Sequence, residues 1–488
     1  MSLVSNTHEK VLVLDFGGQT SQLIARRVRE LSVCGELVPC TIPYEKVLEE
    51  APKGLILSGG PDSVYREGAP QMDPRLATEL GVPVLGICYG MQLMGKLLGG
   101  NVAAGAGREF GRAKLKVVGQ VPLFQGLPLV QQVWMSHGDS VETPPAGFVV
   151  AGRTENTSCA AMADVRRSFY AIQFHPEVAH TVHGREILQN FLFEICGCRG
   201  DWRVTSLSDE LVAVVRKQVQ DGEVVLGISG GVDSTVAAAV LPRPIGDRSP
   251  PNFEDSRLLR KDEGDQVERA LRQGLGLPLT RVDASEEFLS ALAAVEDPEE
   301  KRRRIGKVFV DVFQREAAKI GHVDFLAQGT LYPDVIESTS FAGPSAVIKT
   351  HHNVGGLPET MHLKLVEPLR ELFKDEVRRL GAAMGVPALL LGRHPFPGPG
   401  LAVRILGEVT RERLAVLREA DSIFIAELAR EGIYDQVAQA FAVLLPIRSV
   451  GVMGDFRTYE NVCALRAVTT DDFMTADWAR LPADFLAR

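Results

Sequence analysis

Val224-Val225-Leu226-Gly227-Ile228-Ser229-Gly230-Gly231-Val232-Asp233-Ser234-Thr235 passes from an apolar, β-branched run into a glycine turn rich in hydroxyls, then into the apolar stretch Val236 to Leu241. By residue type this is a buried strand, a loop, and a helix beginning near Ser234. Gly230 and Gly231 leave backbone N–H groups accessible, and the positive end of the helix dipole adds to them, so an anion such as phosphate is favoured there. The hydroxyls of Ser229, Ser234 and Thr235 can add hydrogen bonds to phosphate oxygens. No Gly-Lys-Ser/Thr follows, which separates the segment from the common P-loop. A tight glycine turn between a strand and its helix carries the same short pattern, so the residues alone divide evenly between the two readings.

At 488 residues the chain is too long for one core and calls for about two to four domains. It is 45% hydrophobic and 24% charged, an ordinary globular balance. A net charge of −9 provides no basic field for nucleic acid. No apolar run is long enough for a bilayer, and Met1 to Lys10 is polar, so a cytoplasmic protein with no membrane partner is expected. Seven scattered cysteines fit reduced thiols better than a disulfide framework. Cys196-Gly-Cys198 has no second ligand pair nearby and reads as a domain-end loop.

Upstream, Lys10 to Gly18 reads as a buried strand ending in a turn, with a helix over Ser21 to Leu31. Gly54 to Pro61 and Val82 to Ile87 read as two more short buried strands, the last followed by a helix from Met91 to about Leu98. Strands alternating with helices predict a parallel sheet with helices on both faces and sites at the strands' C-terminal ends. The third strand ends in Gly86-Ile87-Cys88-Tyr89-Gly90, a nucleophile-elbow pattern with Cys in place of Ser; a small buried thiol is the plainer alternative. Phe169 to Glu177 delivers His175 and Glu177 from one strand end, as a base and its orienting carboxylate. Ser58-Gly59-Gly60 offers N–H groups to a developing oxyanion.

Jointly these three elements resemble the class I glutamine amidotransferase family. The resemblance implies that Cys88 attacks the amide of L-glutamine, His175 moves the proton and Glu177 orients His175. It further implies an oxyanion hole from the N–H groups of Gly59 and Tyr89, and glutamine-holding positions at Gln92, Ser136, His137 and Asp139, the last three in a turn. His180 and His183 are expected as loop or helix residues rather than extra bases.

The wording Ser-Gly-Gly-Val-Asp-Ser resembles the pyrophosphate loop of the ATP pyrophosphatase family, which implies that Ser229, Gly230, Gly231, Val232, Asp233, Ser234 and Thr235 bind ATP. Asp233 is then the nearest carboxylate for Mg²⁺. After that helix, Pro242 to Ser256 holds four prolines and no apolar run, so no strand is expected there. Pro298 to Gly306 reads as a capped helix start with a solvated charge cluster, or alternatively as a basic lid. Ile348 to Gly356 contains the adjacent His351 and His352, a poor metal site. Arg393 to Leu401 is a stiff proline-rich connector; Leu401 to Leu406 reads as a strand and Arg411 to Ala429 as one long helix.

Together the two halves resemble the glutamine-hydrolysing GMP synthase family. The expected fold class is α/β. Residues 1–200 form a doubly wound amidotransferase domain, 201–395 a doubly wound ATP pyrophosphatase domain of adenine-nucleotide α-hydrolase type, and 396–488 a truncated α+β dimerisation domain, since family members continue beyond Arg488. The resemblance implies that L-glutamine, XMP and ATP with Mg²⁺ give GMP, and that the enzyme is a homodimer. It also implies XMP contacts from Arg302, Lys349 and Asp455. The missing strand and the early end motivate a second reading, a glutaminase-competent or regulatory homologue with an impaired synthetase half. A different adenylating synthetase ranks third.

Overall fold

The strand Lys10–Asp15 (β1) is buried through its first five residues, as a strand covered on both faces must be. It pairs in parallel with Cys34–Pro39 (β2) on one side and Gly54–Leu57 (β3) on the other. Val84–Ile87 (β4) joins β3, again in parallel. The chain then runs through Asn101–Val117 (β5), Val130–Thr143 (β6), Val149–Arg153 (β7) and Ala161–Asp164 (β8) before Phe169–Ile172 (β9) returns beside β4. The order is β2-β1-β3-β4-β9-β8-β7-β5-β6. The first five strands are parallel, and β8, β7, β5 and β6 extend them antiparallel. The sheet is therefore mixed, where strand–helix alternation alone predicts a parallel one. The difference is visible in burial: β3, β4 and β9 are buried at every residue, whereas β6 opens by alternating between exposed or half-buried and buried.

These elements belong to the first of two compact units, which divide between Leu207 and Ser208. The computed structural model describes residues 7–246, 251–277, 279–320, 322–338, 363–453, 456–470 and 476–488.

In the second unit Val224–Ile228 (β10) is the central strand of a fully parallel sheet. The others are Pro251–Asp255 (β11), Thr280–Asp283 (β12), Phe325–Ala327 (β13) and Lys364–Val366 (β14), in the order β12-β11-β10-β13-β14. The order reverses at β10, so the exit between β10 and β13 is the switch point where such sheets bind ligands. The expectation of no strand within 242–256 is corrected: β11 pairs with both β10 and β12. Three of the four prolines are placed so as not to prevent it, and Pro250 lies outside the described residues. Pro242 and Pro244 lie in the short helix Pro242–Ile245, and Pro251 is the first residue of the strand, where a missing N–H is tolerated.

A third sheet is antiparallel, formed by Gln439–Met453 (β15), Phe456–Thr469 (β16) and Asp477–Trp478 (β17). The helix Arg411–Arg430 buries Leu414, Leu417, Phe424 and Leu428, and begins with Thr410 capping the N–H of Arg413. The strand expected at Leu401 to Leu406 is instead the 3-10 turn Gly400–Arg404 with a single bridge from Ile405 to Leu444. The reason is Lys301. Its buried ammonium donates to the carbonyls of Ala402 (3.3 Å), Ile405 (2.7 Å) and Gly407 (2.6 Å), which a neighbouring strand would otherwise claim. Lys301 stands in the first turns of the helix Pro298–Ile320, so this helix start is pinned and the basic-lid reading is set aside.

Lys301→Met leaves three carbonyls without their donor. It is expected to lower unfolding free energy by about 2–4 kcal/mol, read as a shifted midpoint in urea denaturation of the full chain.

Candidate active site

Three neighbouring parallel strands deliver the first site. Leu57 of β3 aligns with Gly86 of β4, and Ile87 of β4 with Ile172 of β9. The residues just past these ends, Ser58-Gly59, Cys88 and Gln173 to His175, therefore emerge side by side at one edge of the sheet. Cys88 sits at φ +52°, ψ −105°, a strained backbone for a non-glycine residue, immediately before the helix Tyr89–Leu97. The strain is held by close approach. A Cβ on Gly90 would stand 2.3 Å from the carbonyl oxygen of Leu57, and one on Gly86 would meet Gly90 at 2.8 Å. Only glycines let β3, the elbow and the helix come this near.

His175 is 8% exposed and Glu177 is 1% exposed. The Nδ1 of His175 lies 2.7 Å from Oε1 of Glu177. Burial alone would push the imidazole down; the Glu177 carboxylate and the Cys88 sulfur outweigh it and hold His175 well above its ordinary value. The other carboxylate oxygen of Glu177 is buried with no hydrogen-bond partner among the described residues, so the imidazole is the donor this acid side chain serves. The thiol of Cys88 donates to the carbonyl of Ser136 at 3.5 Å. Gly59 faces the same space: a Cβ there would lie 3.1 Å from Cε1 of His175 and 3.7 Å from Cβ of Cys88. Among the described hydrogen bonds neither the N–H of Gly59 nor that of Tyr89 donates to a protein acceptor. Two backbone donors, a thiol and a carboxylate-held imidazole thus converge, a geometry able to attack a carbonyl and hold its oxyanion.

The residues expected to hold glutamine surround this point, but not in a turn. Ser136 to Asp139 lies within β6, opposite a break in the register of β5 between Ala104 and Glu109. Gln92 donates to the carbonyl of Asp139 at 2.8 Å. His137 lies 3.0 Å from that carbonyl through Nδ1, and its Nε2 faces Glu109 at 3.7 Å. Burial pushes His137 below its usual value despite that acid. Thr181 has no local sequence signal. Its hydroxyl donates to the carbonyl of His175 at 2.5 Å and accepts the N–H of Trp134 at 3.0 Å, fixing the base from behind. Glu109, gathered by Thr154 and Thr157 hydroxyls at 3.0 and 2.8 Å, is equally invisible to a linear reading. His180 packs against Trp134 with the rings tilted, and His183 precedes the helix Gly184–Gln189; neither adjoins the thiol as a second base.

The second site follows β10. Gly230 takes φ +80°, Gly231 caps the helix Val232–Val240, and Ser234 accepts the N–H of Ser229 at 3.3 Å while donating to the carbonyl of Gly231 at 3.2 Å. Gly329, leaving β13, lies against this loop: a Cβ there would be 2.9 Å from the carbonyl carbon of Asp233. Thr235 is fully buried, and its hydroxyl has no partner among the described residues. The first-turn N–H groups of the helix, which have no intrahelical acceptor, open at the switch point.

A family model described as Glutamine amidotransferase class-I matches residues 12–195, and one described as GMP synthase C terminal domain matches residues 426–488. The protein named GMP synthase [glutamine-hydrolyzing] of Aquifex aeolicus is 57% identical over 478 residues, spanning 98% of this chain and 93% of that protein. Its namesake in Solidesulfovibrio magneticus is 57% identical over 482 residues, again 98% and 93%. That of Azoarcus sp. is 56% identical over 491 residues, 99% and 94%. The chain belongs to the glutamine-hydrolysing GMP synthase family.

In this GMP synthase family member the amidotransferase match lies within the first unit and the C terminal match within the second. Lys349 and Asp455 lie outside the described residues. Arg302 is exposed and paired with Glu299 at 2.8 Å. Asp233 is bound through both oxygens by Lys374 at 2.6 Å. Burial raises its carboxyl, Lys374 opposes that, and Asp334 adds to the rise. No group of three or more metal-ligating side chains exists among the described residues. One carboxylate with a second acid near it suits Mg²⁺ arriving with phosphates, which takes few protein ligands.

Because the folded-state value of His175 is raised, its contribution to stability is complete below the unfolded value of about 6.5. It is lost as pH rises through the folded one. Glu177→Gln removes the largest raising influence, so the histidine titration followed by NMR is expected to move down and that pH-dependent stability to shrink. Glutaminase kcat is expected to fall about 10²–10⁴-fold.

Proposed function

We propose that the chain makes GMP from XMP, ATP and L-glutamine, releasing AMP, pyrophosphate and L-glutamate. What carries this reading is the presence, in separate units of one chain, of a thiol–imidazole–carboxylate group and a glycine-rich phosphate cradle at a switch point. Near-complete coverage of the GMP synthase relatives supports it. Cys88 attacks the carboxamide carbon of glutamine. His175, held by Glu177, takes the thiol proton and gives it to the departing ammonia. The N–H groups of Gly59 and Tyr89 hold the oxyanion, while Gln92, Ser136, His137 and Asp139 shape the glutamine pocket. Water then hydrolyses the thioester to glutamate.

In the second unit the N–H groups and hydroxyls of Ser229 to Thr235 hold the diphosphate of ATP while O2 of XMP is adenylated. Asp233 would hold Mg²⁺ together with the phosphates, and the ion would supply neutralisation of the leaving diphosphate. Ammonia displaces AMP to give GMP. Arg302, Lys349 and Asp455 are assigned to XMP. The alternative of an impaired synthetase half rested in part on a missing strand, and β11 supplies that strand.

The same reading makes the protein a homodimer through its last sheet. Val450 and Tyr459 face each other across β15 and β16 and are 58% and 63% exposed, with Ile447 and Leu465 also exposed on these strands. Such apolar exposure on paired strands suits burial against a second copy.

Cys88→Ala is expected to abolish GMP formation from glutamine while sparing formation from ammonium salts, measured by GMP release with each nitrogen source. Equal loss with both would separate the thiol from ammonia supply and sink the reading. Val450→Glu is expected to convert the dimer to monomer in sedimentation velocity.

A further inference from the structure

Gly59 carries one of the two N–H groups assigned to the oxyanion, and glycine is the residue type least able to hold a peptide in place by itself. Its own space is limited, since a Cβ there would lie 3.1 Å from Cε1 of His175. The orientation of its N–H therefore comes from neighbours, and both peptides flanking Gly59 are held from outside. The carbonyl of Ser58 accepts the N–H of Gly90 at 3.0 Å. In a planar trans peptide this turns the N–H of Gly59 to the opposite edge, where it donates to no protein acceptor among the described hydrogen bonds. The next peptide is held at its oxygen, because the hydroxyl of Ser58 donates to the carbonyl of Gly59 at 2.9 Å.

Ser58 is fully buried, and its hydroxyl uses its donor and both of its acceptor positions. Besides donating to Gly59, the oxygen accepts the N–H of Phe16 and the hydroxyl of Ser21, each at 3.1 Å. Ser21 opens the helix Ser21–Glu30 and also reaches the carbonyl of Gly18 at 2.9 Å. Gly18 closes the far side: a Cβ on it would collide with the carbonyl oxygen of Gly59. The turn leaving β1 thus grips the turn leaving β3 through one serine. A hydroxyl that merely fills buried space is satisfied by one partner. This one has three, drawn from the β1 exit, the helix and the glycine turn itself.

We propose that Ser58 is the positioning residue of the oxyanion hole. With Ser21 behind it, its hydroxyl fixes the Gly59 peptide so that the N–H meets the oxygen of the tetrahedral adduct and not that of bound glutamine. The proposal deepens the reading that Cys88 attacks glutamine, and rests on it. Donors already aimed where charge develops accelerate a reaction because they need not reorganise during it. Ser58 touches no reacting atom, so its loss is felt in the transition state while ground-state binding is spared.

The test uses L-glutamate γ-semialdehyde as the probe of the adduct. The Cys88 sulfur adds to its carbonyl carbon, the carbonyl π pair moves to oxygen, and the thiol proton passes to His175. Its inhibition constant and glutaminase kcat and KM are measured on the full-length protein in wild type, S58A and S21A, side by side so that the cyclic form of the probe counts equally. Binding of L-glutamine is measured by calorimetry in C88A with and without S58A. S58A is expected to lower kcat by about tenfold to a hundredfold, less than outright removal of a donor. It should weaken the semialdehyde by the same factor, with KM and glutamine affinity unaltered. S21A should shift kcat and semialdehyde affinity in the same direction by less. GMP formation from ammonium salts should be unchanged in both, which reports an intact fold. Full kcat in folded S58A, or equal weakening of glutamine and semialdehyde, overturns the proposal. If S58A does not fold, semialdehyde affinity unchanged in S21A overturns it instead. Glutaminase activity that survives in C88A overturns the underlying reading of function, and the positioning role with it.

Discussion

The approach of Gly90 to the carbonyl of Leu57 is the contact on which the first site depends. A side chain at Gly90 would meet that oxygen at 2.3 Å, and one at Gly86 would meet Gly90 at 2.8 Å. Glycine at both positions lets the helix Tyr89–Leu97 start directly from the end of β4, and Cys88 accepts a positive φ as a result. That strain is of order 1–3 kcal/mol and persists because buried strands on both sides over-determine it. From there the rest is parallel register. β3, β4 and β9 end level with one another, so a glycine turn, a thiol and an imidazole–carboxylate pair meet without any long loop to position them.

The base is secured by layers. Glu177 fixes the ring, Thr181 fixes the carbonyl of His175, and the N–H of His175 donates to the carbonyl of Trp134 at 3.0 Å. The carboxylate and sulfur together overcome the desolvation that would neutralise the ring. The protonated imidazole formed when the thiol gives up its proton is stabilised by the same two groups.

The second unit is organised by charge instead of strain. Lys374 occupies both oxygens of Asp233 beside the helix N-terminus, so negative charge at the loop is largely neutralised. At the far end of the Arg393–Glu263–Arg260 chain the balance is reversed, with guanidiniums outnumbering their single buried acid. Both places lie within one compact unit.

Much of this was written in the linear pattern. The runs at Val224 to Ile228, Lys10 to Asp15 and Val84 to Ile87 are apolar because strands buried on both faces must be, and glycines mark their exits because close backbone approach admits nothing larger. Cys88, His175 and Glu177 were legible for the same reason: each sits at the end of such a run. The antiparallel half of the first sheet, the strand Pro251–Asp255 and the turn Gly400–Arg404 were not, because each depends on a partner distant in sequence. A weak strand forms where β10 and β12 offer hydrogen bonds on both sides, and a strand-like run becomes a turn when a buried lysine takes its carbonyls. So the residue order determined which chemical groups the protein carries and which segments are buried. Tertiary structure alone decided that Thr181 steadies His175 and that Arg404 and Arg466 flank the ring of Phe441, because register and long-range hydrogen bonds have no signature in local spacing.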